Sequence, residues 1–188
     1  TESAVEVASI LSNLSVDEEH GVRKVTPERI YSMTLMPSKS DIIVAAGDKK
    51  GNIGIWNVGS TNVEDGVYST RPHSGTVSHI SFSKINETKL LTSSYDGSIK
   101  ELDANKSIFR EVLSLENKSF YEFDSLPDMS STYLADDDGD MHHIDLRQNC
   151  KNGRIISTWQ VHDKKINTLR VHPTKPWLVA TASLDRSV

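Results

Sequence analysis

The sequence lacks the features that identify secreted, membrane-bound or disulfide-stabilised proteins. Its single cysteine, Cys150, excludes an internal disulfide framework and fits a reducing compartment. No apolar run approaches the roughly 20 residues that a membrane helix requires, so no membrane partner is expected. There is no signal peptide, and because the first residue is Thr1 we expect the natural start to lie upstream.

The chain also lacks a strong excess of charge of either sign. Its formal net charge of −5 predicts neither nucleic-acid binding nor membrane binding, so any basic surface must be local. The sequence contains no nucleotide-binding loop, no set of metal ligands and no isolated nucleophile. We therefore expect no enzymatic activity, no cofactor and no bound metal.

Long helical periodicity is missing after about residue 25, and short strand-like runs take its place. These runs are rich in branched and aromatic residues and are separated by Gly, Pro, Asn and Asp. They are YSMTLM (31–36), DIIVAAG (41–47), NIGIWNV (52–58), VSHISFS (77–83) and KLLTSSY (89–95). Before them, residues 3–19 could form one helix with apolar positions at Val5, Ile10, Leu11 and Leu14. The fold class is therefore all-β with a possible short N-terminal helix.

Turn sequences recur at a nearly constant interval. The segments KKGNIGIWN, YDGSIKELD, DDGDMHHID and SLDRSV place their turn anchors at 50, 96, 138 and 185. The intervals are 46, 42 and 47 residues, and a period of about 40–45 with four short strands is typical of WD40 propeller blades. We predict about three complete four-stranded blades and part of a fourth, at roughly 25–70, 71–115, 116–161 and 162–188, after an extension at 1–24.

Two blades share a set of polar residues at identical spacing. His73 and His162 each lie 23 residues before an aspartate, and Ser94 and Ser183 each precede that aspartate by two. The aspartates are Asp96 and Asp185. The set resembles a hydrolase triad, but its recurrence favours a buried hydrogen-bond network within each blade, and neither serine lies in a Gly-x-Ser-x-Gly elbow.

The segment YLADDDGDMHHIDLR (133–147) suggests a metal site at first sight. In a strand over 141–145, however, His142 and His143 point to opposite sheet faces and cannot hold one ion together. A calcium loop with Gly139 at its sixth position would begin at Leu134 and end at Asp145 rather than at a glutamate. We therefore interpret the acids as a turn aspartate with solvated neighbours.

Three stretches carry a resemblance to a known family. Residues 24–58 look like the first blade of the WD40 subfamily that holds DNA damage-binding protein 2 and WD repeat-containing protein 76. Residues 64–83 and 94–112 resemble the second of these more closely, and residues 171–188 look like a further blade without its Trp-Asp-x-Arg ending. The family propeller has seven blades, of which this chain would supply three and part of a fourth.

The resemblance implies a nuclear, chromatin-associated protein that binds DNA in the damage response. Two positions match DNA contacts of the family, Arg29 and Lys49, and Lys50 is a neighbour. Lys164 would hold the place of Arg29 in the fourth blade, since each lies 21 residues before its anchor, and Lys165 is next to it. Such phosphate contacts set position and affinity rather than sequence, and no base-reading residue is predicted.

The resemblance also implies a role as adaptor for a ubiquitin ligase. Tyr133–Leu134–Ala135, Asp138, Asp145 and Arg147 fit the motif of WD proteins that dock on the cullin-4 ligase through DNA damage-binding protein 1, although Ile144 departs from it. The alternative is an interaction scaffold without DNA affinity, binding proteins through its propeller faces, which the acidic balance favours.

Overall fold

The computed structural model describes residues 2–16, 21–60, 66–147 and 154–188, without the side chains of residues 2–5 and 154. The helix α1 (Glu2–Ser12) confirms the predicted N-terminal helix, but it is shorter than predicted and Leu14 lies beyond its end. Its apolar residues Val7, Ile10 and Leu11 are exposed. The helix is too short to cross a membrane, and no longer helix occurs in the described ranges.

Beyond the helix, the described residues form antiparallel sheets, each a simple meander of strands consecutive in sequence. Blade one contains β1 (Ile30–Leu35), β2 (Ile43–Asp48), β3 (Ile53–Asn57) and β4 (Val67–Thr70). Blade two contains β5 (Val77–Phe82), β6 (Lys89–Ser94), β7 (Ser98–Asp103) and β8 (Ile108–Ser114). Blade three contains β9 (Phe120–Ser125), β10 (Ser131–Asp136), β11 (Asp140–Asp145) and β12 (Arg154–Gln160). Blade four contributes β13 (Ile166–Val171) and β14 (Val179–Ser183).

The predicted all-β fold of three four-stranded blades and a partial fourth is thus confirmed. The first strands of successive blades contact one another, so β1, β5, β9 and β13 are the innermost strands. Turns between second and third strands lie at the same end of the sheets as the connectors that lead into each first strand. Backbone hydrogen bonds join the two, for example from Lys49 N to Arg29 O at 3.0 Å.

The hydrophobic core lies between the blades rather than within them. One cluster joins Leu91 and Ile99 of blade two to Phe120, Phe123 and other residues of blade three. A second cluster joins blade one to blade two in the same way. Because each blade is a single sheet with two apolar faces, it becomes stable by stacking on its neighbours.

The inner strand of blade one departs from this pattern. Met33 of β1 is 63% exposed, whereas Ile80, at the same position of β5, is 2% exposed. Leu35 is exposed in the same way, while its counterpart Phe82 is buried. The first strand of each later blade packs against the preceding blade, and β1 has no such neighbour among the residues that the structure describes.

Candidate functional site

In blades one to three, the turn between the second and third strands packs against the connector that leads into the next blade. Gly51, Gly97 and Gly139 occupy these turns with φ values of 89°, 76° and 90°. A Cβ atom on Gly97 would lie 2.3 Å from the carbonyl oxygen of Leu115, which belongs to the next connector. Gly51 and Gly139 are covered in the same way, by the backbone of His73 and His162. Only glycine satisfies both the dihedral angle and the close approach.

His73 lies at the centre of a buried network in blade two. Its Nδ1 atom is 3.1 Å from Asp96 Oδ2 and 3.0 Å from Ser98 Oγ, and its Nε2 atom is 2.9 Å from Thr92 Oγ1. Burial disfavours the ionised carboxylate, but hydrogen bonds from His73 and Ser98 outweigh it and hold the pKa of Asp96 well below its usual value. The network ties the connector to the turn and to the second strand.

Blade four repeats this geometry around His162. The Nδ1 atom lies 3.0 Å from Asp185 Oδ2 and 2.9 Å from Ser187 Oγ, while Nε2 lies 2.9 Å from Thr181 Oγ1. A hydrogen bond from Ser187 is the main cause of the lowered pKa of Asp185. The structure therefore brings each histidine to its aspartate at the spacing that the sequence suggested.

The serines of the sequence pattern have a different position from the one a triad requires. Ser94 Oγ accepts a hydrogen bond from Asp96 N at 3.1 Å, and Ser183 Oγ accepts one from Asp185 N at 3.1 Å. Neither serine is bonded to a histidine ring, so both cap the turn. The hydroxyl groups that do contact the rings were not identified from the sequence. They belong to threonines of the second strand and to serines just after the turn, namely Thr92, Thr181, Ser98 and Ser187.

In blades one and three the buried carboxylate comes from a different position of the hairpin. Asp48 and Asp136 lie three residues before their turn glycines, at the positions that Ser94 and Ser183 hold in the other blades. Asp136 is fully buried, whereas Asp138, the expected turn aspartate, is 69% exposed. The turn alignment in the sequence already contains this offset, because its anchors directly precede Gly51, Gly97, Gly139 and Arg186, and Asp48 and Asp136 lie two residues before their anchors.

Asp136 anchors a polar cluster that the sequence analysis did not identify. Its carboxylate lies 3.1 Å from His142 Nε2 and 2.7 Å from the ammonium group of Lys118. Burial opposes ionisation of Asp136, but hydrogen bonds from His142 and Lys118 lower its pKa to about 2. Lys118 also contacts Asp138 at 2.9 Å and Asp140 at 3.2 Å, and these bonds raise its pKa despite burial.

The same cluster provides the metal-like arrangement found among the described residues, formed by Asp136, Asp140 and His142. The Lys118 ammonium group already lies against both carboxylates and supplies the positive charge that a metal would bring. His143 lies on the other sheet face, where it stacks on Tyr133 with ring centroids 4.6 Å apart. As the strand alternation predicted, the two adjacent histidines do not converge on one site.

The basic candidates of blade one lie together at the end of the sheet that carries the connectors. Arg29 donates a hydrogen bond to the hydroxyl of Tyr31, and its guanidinium carbon lies 4.7 Å from the centre of that ring. Lys49 and Lys50 occupy the turn between β2 and β3 and are both exposed. The carbonyl oxygen of Lys50 accepts a hydrogen bond from Arg71 at 2.9 Å, which brings a further cation close to this turn.

In blade four, Lys164 is exposed and Lys165 is half-buried. The backbone register corrects the equivalence expected from counting. Lys49 N donates to Arg29 O, and Leu184 N donates to Lys165 O, so Lys165 rather than Lys164 corresponds to Arg29. The count was offset because the loop between the first two strands is one residue longer in blade one than in blade four.

Three tyrosines at the same end of the sheets were not singled out from the sequence. Tyr31 and Tyr121 follow the first residue of β1 and β9, and Tyr95 begins the turn after β6. The ring centroids of Tyr95 and Tyr121 are 4.7 Å apart, and the Lys165 ammonium group lies 4.5 Å from the centre of the Tyr121 ring. Their spacing in sequence shows no pattern, since strands of three blades bring them together.

The ligase-docking candidates divide between the two ends of blade three. Arg147 is 71% exposed and makes a two-pronged contact with Asp145, with Nε at 3.0 Å and one terminal nitrogen at 3.1 Å. Asp138 lies in the turn at the other end of the sheet, one six-residue strand away. At about 3.3 Å per residue, Asp138 lies nearly 20 Å along the strand from Asp145 and Arg147.

Arg147 borders a cleft of about 640 Å³ between blades two and three. The apolar lining includes Ile85, Leu91, Ile108, Met129 and Leu146. Charged side chains on its rim include Lys89, Glu101 and Lys106. An exposed arginine next to a cleft with apolar and charged lining residues has the composition of a protein-docking surface.

The comparisons with known proteins agree with this architecture. The family model described as "WD domain, G-beta repeat" matches residues 66–101 and 153–188. A DNA damage-binding protein CMR1 from Debaryomyces hansenii is 36% identical over 177 aligned residues, which cover 87% of this chain and 30% of that protein. WD repeat-containing protein 76 of Rhinolophus ferrumequinum is 37% identical, with 92% and 28% covered, and that of Mus musculus is 37% identical, with 95% and 28% covered.

These findings confirm the resemblance to WD repeat-containing protein 76 that the sequence suggested. The chain spans about a third of the length of the curated relatives it matches. None of the relatives named here carries the name of an enzyme.

Proposed function

Because this chain consists of WD40 repeats and its relatives are named for DNA damage binding or as WD repeat-containing protein 76, we propose that it binds DNA and chromatin in the nucleus. It would act there as an adaptor of the DNA damage response that recruits substrates to a cullin-4 ubiquitin ligase. The observation that carries the proposal is the convergence of basic residues at one end of the blades. Arg29 and Lys165 occupy equivalent positions in blades one and four, and Lys49 adjoins the first of them.

A salt titration of a fluorescent duplex tests the DNA-binding part. If Arg29, Lys49 and Lys165 each neutralise one phosphate, each contributes about −0.9 to the slope of log affinity against log salt. Changing all three to alanine should therefore flatten the slope by about 3 and weaken binding similarly on every sequence.

The matched control is the triple variant of Lys39, Lys84 and Lys106. These lysines lie in loops at the opposite end of the blades, after the first strand or after the third. Equal losses from both triple variants would mean diffuse charge rather than a site. The titration requires a protein concentration at which light scattering shows one species.

The exposed Arg147 supports the adaptor part of the proposal. Asp145 holds its guanidinium group at the edge of the cleft through two hydrogen bonds. We expect Arg147→Glu to abolish binding to DNA damage-binding protein 1 in a pull-down, since removing one partner of a charge pair that is buried at an interface costs about 2–5 kcal/mol.

Lys39→Glu is the control for this pull-down, because it reverses a charge at the same end of the blades but away from the cleft. An unchanged circular dichroism spectrum would show that both variants fold. If Arg147→Glu is captured as well as the wild type, the docking assignment is wrong.

A protein-interaction scaffold without DNA affinity is the second candidate, and the net charge of −5 favours it. Absence of duplex binding at low salt, combined with retention of the ligase adaptor, would make this the better description.

A further inference from the structure

Three tyrosines and two cations from four blades lie in a row at one end of the sheets. The row consists of Arg29, Tyr31, Tyr95, Tyr121 and Lys165, and we call it the aromatic row. Arg29 lies on the Tyr31 ring, Tyr95 contacts Tyr121, and Lys165 lies on the Tyr121 ring. Burial raises the pKa of Tyr95, and Tyr121 and Tyr31 raise it further.

The backbone fixes the members of the row in place. Arg29 and Lys165 directly precede the first residues of the innermost strands β1 and β13, and Tyr31 and Tyr121 each occupy the second position of an innermost strand. The backbone carbonyl of Tyr95 accepts a hydrogen bond from Ser119 Oγ at 3.2 Å, which joins its turn to blade three. Neighbouring rings therefore come from different blades and are held by blade stacking.

The charges around the rings decide what they can bind. A methylated ammonium ligand requires aromatic faces free of other cations, but Arg29 and Lys165 already lie on two of the three rings. Asp137 is the acid coupled to Tyr121, and its carboxylate accepts a hydrogen bond from the Ser119 backbone amide at 3.0 Å. Because the two cations lie directly on the rings, they favour an anionic ligand.

Among anionic polymers, a nucleic-acid strand with unpaired bases fits best. Its bases stack on aromatic side chains while its phosphates pair with the flanking cations. Duplex DNA hides the faces of its bases, so the rings would contribute little to binding it. Tyr31 and Tyr95 both remain partly exposed, at 42% and 36%, and can therefore accept a stacked base.

We propose that the aromatic row binds unpaired DNA nucleotides, with bases stacked on Tyr31 and Tyr95 and phosphates paired with Arg29 and Lys165. This inference rests on the proposed DNA-binding function and specifies the form of DNA that the site selects. It assigns the tyrosines to stacking and the cations to charge neutralisation, which predicts different responses to salt.

Fluorescence anisotropy with a labelled oligothymidylate, and with a duplex of the same length, tests the assignment. Replacing Tyr31 or Tyr95 by leucine should weaken single-strand binding by about 5- to 150-fold, the range expected from loss of one stacked base. The slope against salt should remain unchanged, and duplex affinity should change less than twofold. Replacing Lys165 by glutamine should instead flatten the single-strand slope by about 0.7.

Two variants separate loss of stacking from loss of structure. Tyr95→Phe keeps the ring and should bind as the wild type does. Tyr68→Leu removes an exposed tyrosine from the outermost strand of blade one and should have no effect. An equal loss on both forms of DNA, no loss from the leucine variants, or no preference for the single strand would overturn the inference.

The same data separate this inference from the proposed function. Salt-dependent duplex binding together with silent tyrosine variants would refute only the aromatic row. Absence of binding to either form of DNA at low salt would refute both.

Discussion

Replacing Gly97 by alanine should destabilise the close contact between the turn of blade two and the connector that packs against it. A residue with a side chain at φ 76° costs about 1–2 kcal/mol. The new Cβ would also lie 2.3 Å from the Leu115 carbonyl oxygen and 2.7 Å from that of Lys118. Forcing the backbone apart adds roughly 1–3 kcal/mol, so the total loss is about 2–5 kcal/mol.

Urea unfolding followed by far-ultraviolet circular dichroism measures this loss. With a slope of about 2 kcal/mol per molar urea, the midpoint should fall by about 1–2.5 M. Gly59→Ala is the control, because the nearest atom to its Cβ would be 3.8 Å away and its stability should be unchanged or slightly higher. An unchanged midpoint for Gly97→Ala would refute the argument.

Blade four allows the two contributions to be separated. Arg186 occupies the corresponding turn position with φ 73°, and it has a side chain. Arg186→Gly should therefore stabilise the chain by up to about 1 kcal/mol, through relief of the dihedral angle alone.

Three further predictions concern the networks and the exposed flank. His73→Ala should destabilise the chain by about 1–3 kcal/mol in urea unfolding, because Asp96, Ser98 and Thr92 each lose a hydrogen-bond partner in the buried network, and an effect below 1 kcal/mol would contradict this. Since the pKa of Asp136 is about 2 when folded and about 4 when unfolded, its contribution is complete above pH 4 and is lost as the pH falls through 2. Between pH 5 and pH 2.5, the free energy of unfolding should therefore fall by roughly 2 kcal/mol less in Asp136→Asn than in the wild type. Parallel plots of this free energy against pH would contradict this. The exposed Met33 and Leu35 should cause the isolated chain to associate in light scattering, and Met33→Lys should reduce this, whereas a monodisperse wild-type monomer would contradict it.

The repeat architecture was predictable because its signals are local. Each turn needs a residue that tolerates positive φ, so the glycines at 51, 97 and 139 revealed the period. The strand at 89–95 was predicted within one residue of β6, since its branched residues are flanked by turn residues on both sides.

The site was less predictable because its members come from different blades. Lys118 lies in a connector and looks like ordinary surface charge, yet packing of blades two and three brings it to Asp136. Counting along the chain assigned Lys164 the role of Arg29, because a single extra loop residue shifts the register. The tyrosines of the aromatic row carry no shared motif, and only the arrangement of the innermost strands brings their rings together.

The close contact between each turn glycine and the following connector has a consequence for how such chains can be cut or recombined. A sheet ends at its fourth strand, but the carbonyl that covers the Gly97 turn belongs to Leu115, just after the fourth strand of blade two. A module excised at the sheet boundary would lose this cover. A module that extends through the following connector would retain it. The exchangeable unit for duplication or protein engineering is therefore one sheet plus the segment that leads into the next.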